Sequence, residues 1–203
     1  MSQPRETPLT QVTVTQVAAT AAPVSTDPDA TELVVLVDDS GAAIGTAEKA
    51  TVHTRDTPLH RAFSCHVFST DGRVLLTRRA LGKLTWPGVW TNSFCGHPGP
   101  GEPDDVAIRR RAERELGLAL GELEVVLPDF RYRAVDASGI VENEVCPVYR
   151  ATVDVDPAPA ADEVAEWAWI HPDDLREAVE AAPFAFSPWL VLQLAEWTEL
   201  GGS

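Results

Sequence analysis

Between Trp86 and Pro98 the chain reads Trp-Pro-Gly-Val-Trp-Thr-Asn-Ser-Phe-Cys-Gly-His-Pro, which sets the thiol of Cys95 two residues before the imidazole of His97. Both side chains can be tuned to change protonation near neutral pH, and the glycines and prolines around them place the pair where a strand ends in a turn. An isolated Cys-x-His is more often a packed thiol beside a surface histidine, because free cysteine behaves as a small core hydrophobe. The rest of the chain overturns that reading. Downstream, Asp129 to Ala134, the turn Ala137-Ser138-Gly139 and the run Ile140 to Tyr149 read as a hairpin. Residues two apart on a strand share a face, so Glu142 and Glu144 project together with Asn143 on the opposite side. Two carboxylates on one face repel unless a cation sits between them. His53, His60 and His97 are the candidates to complete such a site. Three imidazoles and two carboxylates suit Mn(II), Fe(II) or Zn(II) better than a purely hard Mg(II) cage. Without the histidines, a solvated strand face would account for the two glutamates equally well.

Between these stretches, Pro103, Asp104 and Asp105 suit a helix start and Gly117 its end. The spacing of Gly96, Glu102, Arg110, Glu115 and Gly117 resembles the Nudix box, a loop-helix element that binds metal and diphosphate. The match is degenerate. Arg111 follows Arg110 where the box usually has Glu, and Arg114 precedes Glu115 where the box has a second Glu. A Nudix hydrolase uses those acids to hold metals and activate water, so their replacement implies diphosphate binding with hydrolysis lost.

Taken together, the motifs resemble type I isopentenyl diphosphate isomerase, a Nudix-fold family that interconverts isopentenyl and dimethylallyl diphosphate. The resemblance spans roughly residues 31 to 195. It is carried by Leu59 to Ser64, Thr77 to Leu81, Trp86 to Pro98, Phe130 to Arg133, Gly139 to Pro147 and Phe186 to Trp189. The chemistry explains the residue types. Moving a double bond one carbon along needs a proton delivered to the terminal alkene carbon and another removed from C2, through a state with tertiary carbocation character. The acid must be held against the alkene and the cation shielded from water. The resemblance implies Cys95 as one acid/base partner and Glu144 with Tyr132 as the other. Which of Cys95 and Glu144 is the acid in the forward direction stays open, because the reaction is reversible. Glu144 would also be a metal ligand beside His53, His60, His97 and Glu142, with Mn(II), Zn(II) or Fe(II) in that site. Trp189 would offer its ring face to the cation, an interaction worth about 2 kcal/mol when desolvated; without the resemblance, core packing by a C-terminal helix is the simpler account. Lys49, Arg79, Lys83 and Arg111 match diphosphate-binding positions. Glu115 and the backbone carbonyl of Cys95 match the position that holds Mg(II) against the substrate diphosphate.

Charge agrees with an anionic small substrate. The formal net charge of -15 speaks against nucleic acid or an anionic membrane as partner. The cations are concentrated all the same: 13 of the 16 Lys and Arg lie between Lys49 and Arg133, where Arg forks and Lys point charges suit phosphate oxygens. Glu102 is better read as helix-start electrostatics than as a ligand.

The elements that must position these groups read as strands near 32–37, 61–69, 73–78, 123–127, 130–136, 140–153 and 165–170, with helices at 103–116, 172–181 and 187–198. The resemblance and this pattern imply an α+β, α/β/α sandwich with a mixed sheet between helices, over residues 31–203 as one domain. Residues 1–30, rich in Thr, Ala, Pro, Gln and Val, read as a disordered extension. There is no basic n-region with a continuous apolar core and no apolar run of membrane-spanning length, so a cytoplasmic location is expected. The resemblance implies isopentenyl diphosphate as the substrate, and a monomer is expected with the oligomeric state left open. Cys65, Cys95 and Cys146 form no Cys-x-x-Cys pair, and Cys65 and Cys146 are expected to pack around the pocket. Two other readings compete: a Nudix hydrolase of a nucleoside diphosphate derivative, which needs the acids that Arg111 and Arg114 replace, and a catalytically silent binding protein, which would not need Cys95 or Glu144.

Overall fold

The computed structural model describes residues 13–16 and 32–200. Strand β5 (Phe63–Ser69) shows how the sequence builds the centre. Successive side chains of a strand point to opposite faces. Phe63, Cys65 and Val67 pack with Ala107, Ile108, Ala112 and Leu116 of helix α2 (Asp104–Leu116). On the other face, Phe68 packs with Leu175 and Val179 of α3 (Pro172–Ala181) and with Leu190 and Leu194 of α4 (Pro188–Glu196). A sheet with helices on both faces follows, and each fully buried large apolar side chain stabilises it by about 1.5–3 kcal/mol. Helix α2 ends at Gly117, whose φ of 64° is the left-handed conformation that glycine adopts without a Cβ clash.

This sheet runs β1 (Val14–Gln16), β13 (Val164–Ile170), β6 (Val74–Arg79), β5, β12 (Val148–Val153), β9 (Leu123–Leu127), with the short strands β7 (Trp90–Thr91) on β6 and β8 (Phe94–Gly96) on β5. A second sheet of five strands runs β10 (Arg131–Val135), β11 (Val141–Val145), β4 (His60–Arg61), β2 (Leu33–Val37), β3 (Ala43–Glu48). Helix α1 (Lys49–Val52) follows β3.

Two chain segments pass from one sheet to the other side by side. The expected strand 61–69 divides at Ala62, and the expected strand 140–153 divides at Cys146-Pro147. Pro147 cannot donate to a ladder, which suits it to the break. The segments stay parallel across the crossing: Glu144 lies opposite His60 in the second sheet and Val148 opposite Ser64 in the first. Hydrogen bonds from Ala62 N to Val145 O (2.9 Å) and from Ser64 N to Pro147 O (3.0 Å) stitch the junction.

Three further differences from expectation have physical causes. Val14–Gln16, expected within a disordered extension, pairs with the edge of β13, where unpaired backbone groups accept a strand; the remainder of 1–30 lies outside the described residues. Strand β3 was not anticipated because its side chains are nearly all exposed and carry no alternation to read. The mixed sheet expected between helices is accompanied by the second sheet, whose strands the linear pattern merged with the first. Among the described residues, no helix is long and apolar enough to cross a membrane.

Candidate active site

Where the two sheets part, a cavity of roughly 180 Å³ collects side chains from distant elements. Cys95 comes from β8, Tyr132 from β10, Glu142 and Glu144 from β11, Arg111 and Glu115 from α2, and Trp189 from α4. His53, His97, Lys49, Arg79 and Lys83 complete its predicted lining, and His60 lies directly behind. A larger groove of about 1300 Å³ at Asp71, Glu124 and Trp197 contains none of these residues.

At one end the three histidines gather around Glu144. Ligating atoms of His53, His60, His97 and Glu144 lie within 4.8 Å of one another. Glu144 Oε1 is 3.1 Å from His97 Nε2 and 3.5 Å from His60 Nε2. Those two ring nitrogens are themselves only 3.3 Å apart. His60 Nδ1 is 2.9 Å from the carbonyl of Pro58, which suits an Nδ1–H donor and leaves the Nε2 lone pair facing the cluster. His53 Nε2 is buried 3.0 Å from Glu142 Oε2, yet it lacks an aligned hydrogen-bond partner among the described residues. A buried ring nitrogen left over, beside converging lone pairs and a carboxylate, is the donor set of a divalent transition ion. Glu142 belongs to the margin of the group: it touches His53 and accepts the Thr85 hydroxyl at 2.8 Å. Burial opposes ionisation of Glu144, but His60 and His97 outweigh it and hold the carboxyl well below the usual range. Burial lowers both imidazoles; in His60 the bond and charge of Glu144 reverse the shift, whereas in His97 burial prevails.

Next to this cluster sits the thiol. Burial pushes Cys95 up to about 12, with the Glu144 charge adding and a hydrogen bond to Ser64 opposing, so it stands as a thiol. Ser64 Oγ is 3.3 Å from Cys95 Sγ, and Gln193 Nε2 donates to that same oxygen at 2.8 Å. Asn92 Nδ2 donates to the carbonyls of Cys65 and Phe94, which leaves Asn92 Oδ1 as the acceptor for Cys95 at 3.4 Å and for Trp189 Nε1 at 2.9 Å. Tyr132 lies opposite Glu144 in the β10–β11 register and tilts against Trp189, with ring centroids 5.7 Å apart. Burial, then Glu144, pushes its phenol well above the ordinary value, so it too keeps its proton. Trp86 meets Trp189 edge-on at 5.3 Å, and the Arg79 guanidinium lies 5.5 Å from the centre of the Trp189 ring. Cys65 and Cys146 are buried behind the wall, as expected of packing residues.

The far end of the cavity is charged. Lys49 pairs with Glu32 at 3.0 Å, and Arg79 donates to the carbonyl of Thr85 at 2.9 Å. Arg111 Nε donates to Glu115 Oε1 at 2.7 Å, and Arg111 Nη2 lies 3.5 Å from Glu163 Oε1. Lys83 pairs with Glu163. Burial raises Glu115; in Glu163 burial is outweighed by Lys83 and Arg111 and the carboxyl falls below its usual value. The two arginines that replace Nudix-box acids part company: Arg111 lines the cavity, while Arg114 turns outward to Asp162 at 2.8 Å. Glu102 clamps Arg110 at 2.8 Å and accepts from Gly99 N, so its bonds go to the side chain of Arg110 and to the loop before α2.

Sequence reasoning missed Ser64, Thr85, Asn92, Gln193 and Glu163. Asn92 stands inside the run around Cys95, and only its position there pointed to it. Glu163 follows a proline-rich loop and carries no spacing signal.

A model of the NUDIX domain matches residues 58–190. A protein of Agromyces mediolanus named isopentenyl-diphosphate Delta-isomerase is 62% identical over 96% of this chain and 94% of its own length. The chain belongs to the isopentenyl-diphosphate Delta-isomerase family. A further family member, from Clavibacter michiganensis, is 66% identical over 82% of this chain and 86% of its own. The fold of this chain is shared with proteins of distant sequence: a protein of Deinococcus radiodurans superposes with a TM-score of 0.65 at 19% identity, covering 82% of this chain and 99% of its own. A MutT protein from Methanosarcina mazei gives 0.56 at 15%, covering 72% and 97%.

Proposed function

We propose that this chain, through a single domain over residues 31–203, interconverts isopentenyl and dimethylallyl diphosphate in isoprenoid biosynthesis by proton addition and removal in the cavity. The observation that carries the reading is that one cavity is lined by protonic groups from two sheets: Cys95 from the first, and Glu144 with Tyr132 from the second. One group delivers a proton to the terminal carbon and the other removes one from C2. Cys95 holds its proton between Asn92 and Ser64, so the group next to the alkene is a neutral acid rather than a nucleophile. Glu144 is ionised and fixed, as a base must be. Trp189 and Tyr132, which line the cavity, would exclude water and present ring faces to the developing cation, with Trp86 packed edge-on against Trp189.

His53, His60, His97 and Glu144, with Glu142 beside His53, would hold Mn(II), or Zn(II) or Fe(II) in its place. Such an ion supplies charge that keeps Glu144 oriented and tunes its basicity. At the charged end, Lys49, Arg79, Lys83 and Arg111 would take the diphosphate oxygens, with Mg(II) at Glu115 and the Cys95 carbonyl. The replacement of hydrolase acids by Arg111, which fills the cavity wall, supports binding without hydrolysis.

The test is incubation of the protein with isopentenyl diphosphate, Mg(II) and Mn(II) in deuterated water, followed by NMR, with the Cys95→Ala variant alongside. Dimethylallyl diphosphate deuterated in a methyl group, absent with the variant, is expected. Release of phosphate or a nucleoside monophosphate from other substrates, with no isomerisation, would reinstate the hydrolase.

A further inference from the structure

Not all the cations at the charged end are free to receive an anion. Glu163 sits between two of them, paired with Lys83 through Oε2 and 3.5 Å from Arg111 through Oε1, with its side chain only 12% exposed. It shares Arg111 with Glu115, and each carboxylate feels Arg111 while Glu163 raises Glu115 by repulsion. The cavity wall here therefore sets four cations, Lys49, Arg79, Lys83 and Arg111, against two carboxylates, Glu115 and Glu163. A bare diphosphate entering this end would meet Lys83 and Arg111 with a buried carboxylate already on them. Desolvated like charges a few ångströms apart are costly, and the cost disappears when a divalent cation lies between them. Paired carboxylates joined by phosphate oxygens are also the hard, all-oxygen donor set that Mg(II) prefers.

We infer that Glu163, with Glu115, makes this site selective for diphosphate carried with a divalent cation: Glu163 faces that cation when the complex is bound and rejects the metal-free anion. This rests on the diphosphate reading above and adds a discriminating residue to it. Backbone geometry supports the placement, because Glu163 is held from both sides of its peptide: its N–H donates to Ala160 O at 3.0 Å and its carbonyl accepts from Ala80 N at 3.0 Å. Its side chain is thus anchored beside the loop that carries Lys83.

The experiment is calorimetric titration of the metal-loaded protein with inorganic diphosphate, with and without Mg(II), using wild type, Glu163→Gln and Glu163→Asp. Wild type should bind the Mg(II) complex more tightly than the bare anion. Glu163→Gln should move the two affinities in opposite directions, tightening the bare anion and weakening the Mg(II) complex, each by roughly tenfold, the scale of one charge-assisted contact. Glu163→Asp keeps the charge, so it should retain the wild-type preference at reduced size, and it decides the matter should the Gln variant fail to fold. A parallel loss of both affinities in Glu163→Gln, or no change in either, would reduce Glu163 to an anchor for Lys83 and overturn the inference. Wild type that takes no diphosphate under either condition would instead overturn the diphosphate reading on which the inference rests.

Discussion

Cys95 and Trp189 hang from one atom. The side-chain oxygen of Asn92 accepts the indole N–H at 2.9 Å and the thiol at 3.4 Å, while the amide nitrogen of Asn92 is spent on two backbone carbonyls. The proposed acid/base group and the aromatic wall proposed to face the cation are therefore set relative to each other by Asn92.

Replacing Asn92 with Leu removes that shared acceptor and leaves buried carbonyls and an indole N–H unpaired. The expected result is a loss of kcat of about 10–100-fold with KM for isopentenyl diphosphate little changed, and a loss of stability of about 2–4 kcal/mol. Steady-state kinetics and urea unfolding read the two effects separately; a KM-only effect would show that Asn92 acts on binding.

Glu142 and Glu144 should respond unequally to the same substitution. Glu144 meets His60 and His97, whereas of the three histidines Glu142 pairs with His53. Glu144→Gln is expected to abolish retention of Mn(II) and activity together. Glu142→Gln is expected to weaken Mn(II) by about 10–100-fold, the usual effect of losing a supporting partner. Competition against a chelator, read by bound-metal analysis, tests the ranking, and equal losses would place both carboxylates on the ion alike.

Gly96 separates the thiol from His97, and its missing side chain is required. A Cβ there would come 2.7 Å from Phe63 Cζ and 3.0 Å from Arg111 Cγ. Gly96→Ala should cost about 1–3 kcal/mol of stability. Because Arg111 must give way, KM should also rise several-fold with kcat less affected; an unchanged KM would show that Phe63 absorbs the whole displacement.

His66 is fully buried against Gln193 and Trp197, and burial drives its imidazole down to about 4, against a hydrogen bond to Gln193 that opposes the shift. In the unfolded chain it titrates near 6.5. Between these values the unfolded state binds a proton that the native state refuses, so stability falls as pH drops from about 6.5 to about 4 and is unaffected by this group above that window. The loss amounts to about 3 kcal/mol across the window. Urea unfolding at a series of pH values should show a shallower slope there for His66→Leu than for wild type; identical slopes would mean His66 is not buried neutral.

Much of the site was legible in the chain. The alternation of Glu142 and Glu144 and the nearness of Cys95 to His97 follow from strand periodicity and sequence adjacency, which are local properties of the backbone. So do α2 and its ends at Pro103 and Gly117. The concentration of Lys and Arg between residues 49 and 133 pointed to an anionic substrate from composition alone. What no spacing could supply is the crossing of two strands between two sheets. The linear pattern runs 61–69 and 140–153 as unbroken strands because apolar residues continue through Ala62 and through Cys146-Pro147. Tertiary pairing decides that each segment changes sheet there, and that choice sets His60 opposite Glu144 and Ser64 beside Cys95. Likewise Asn92, Gln193 and Glu163 are polar residues whose partners lie on other elements. Their burial is favourable only because the fold supplies a hydrogen bond or an opposite charge for each, and the sequence names the residue types without saying which of them will meet.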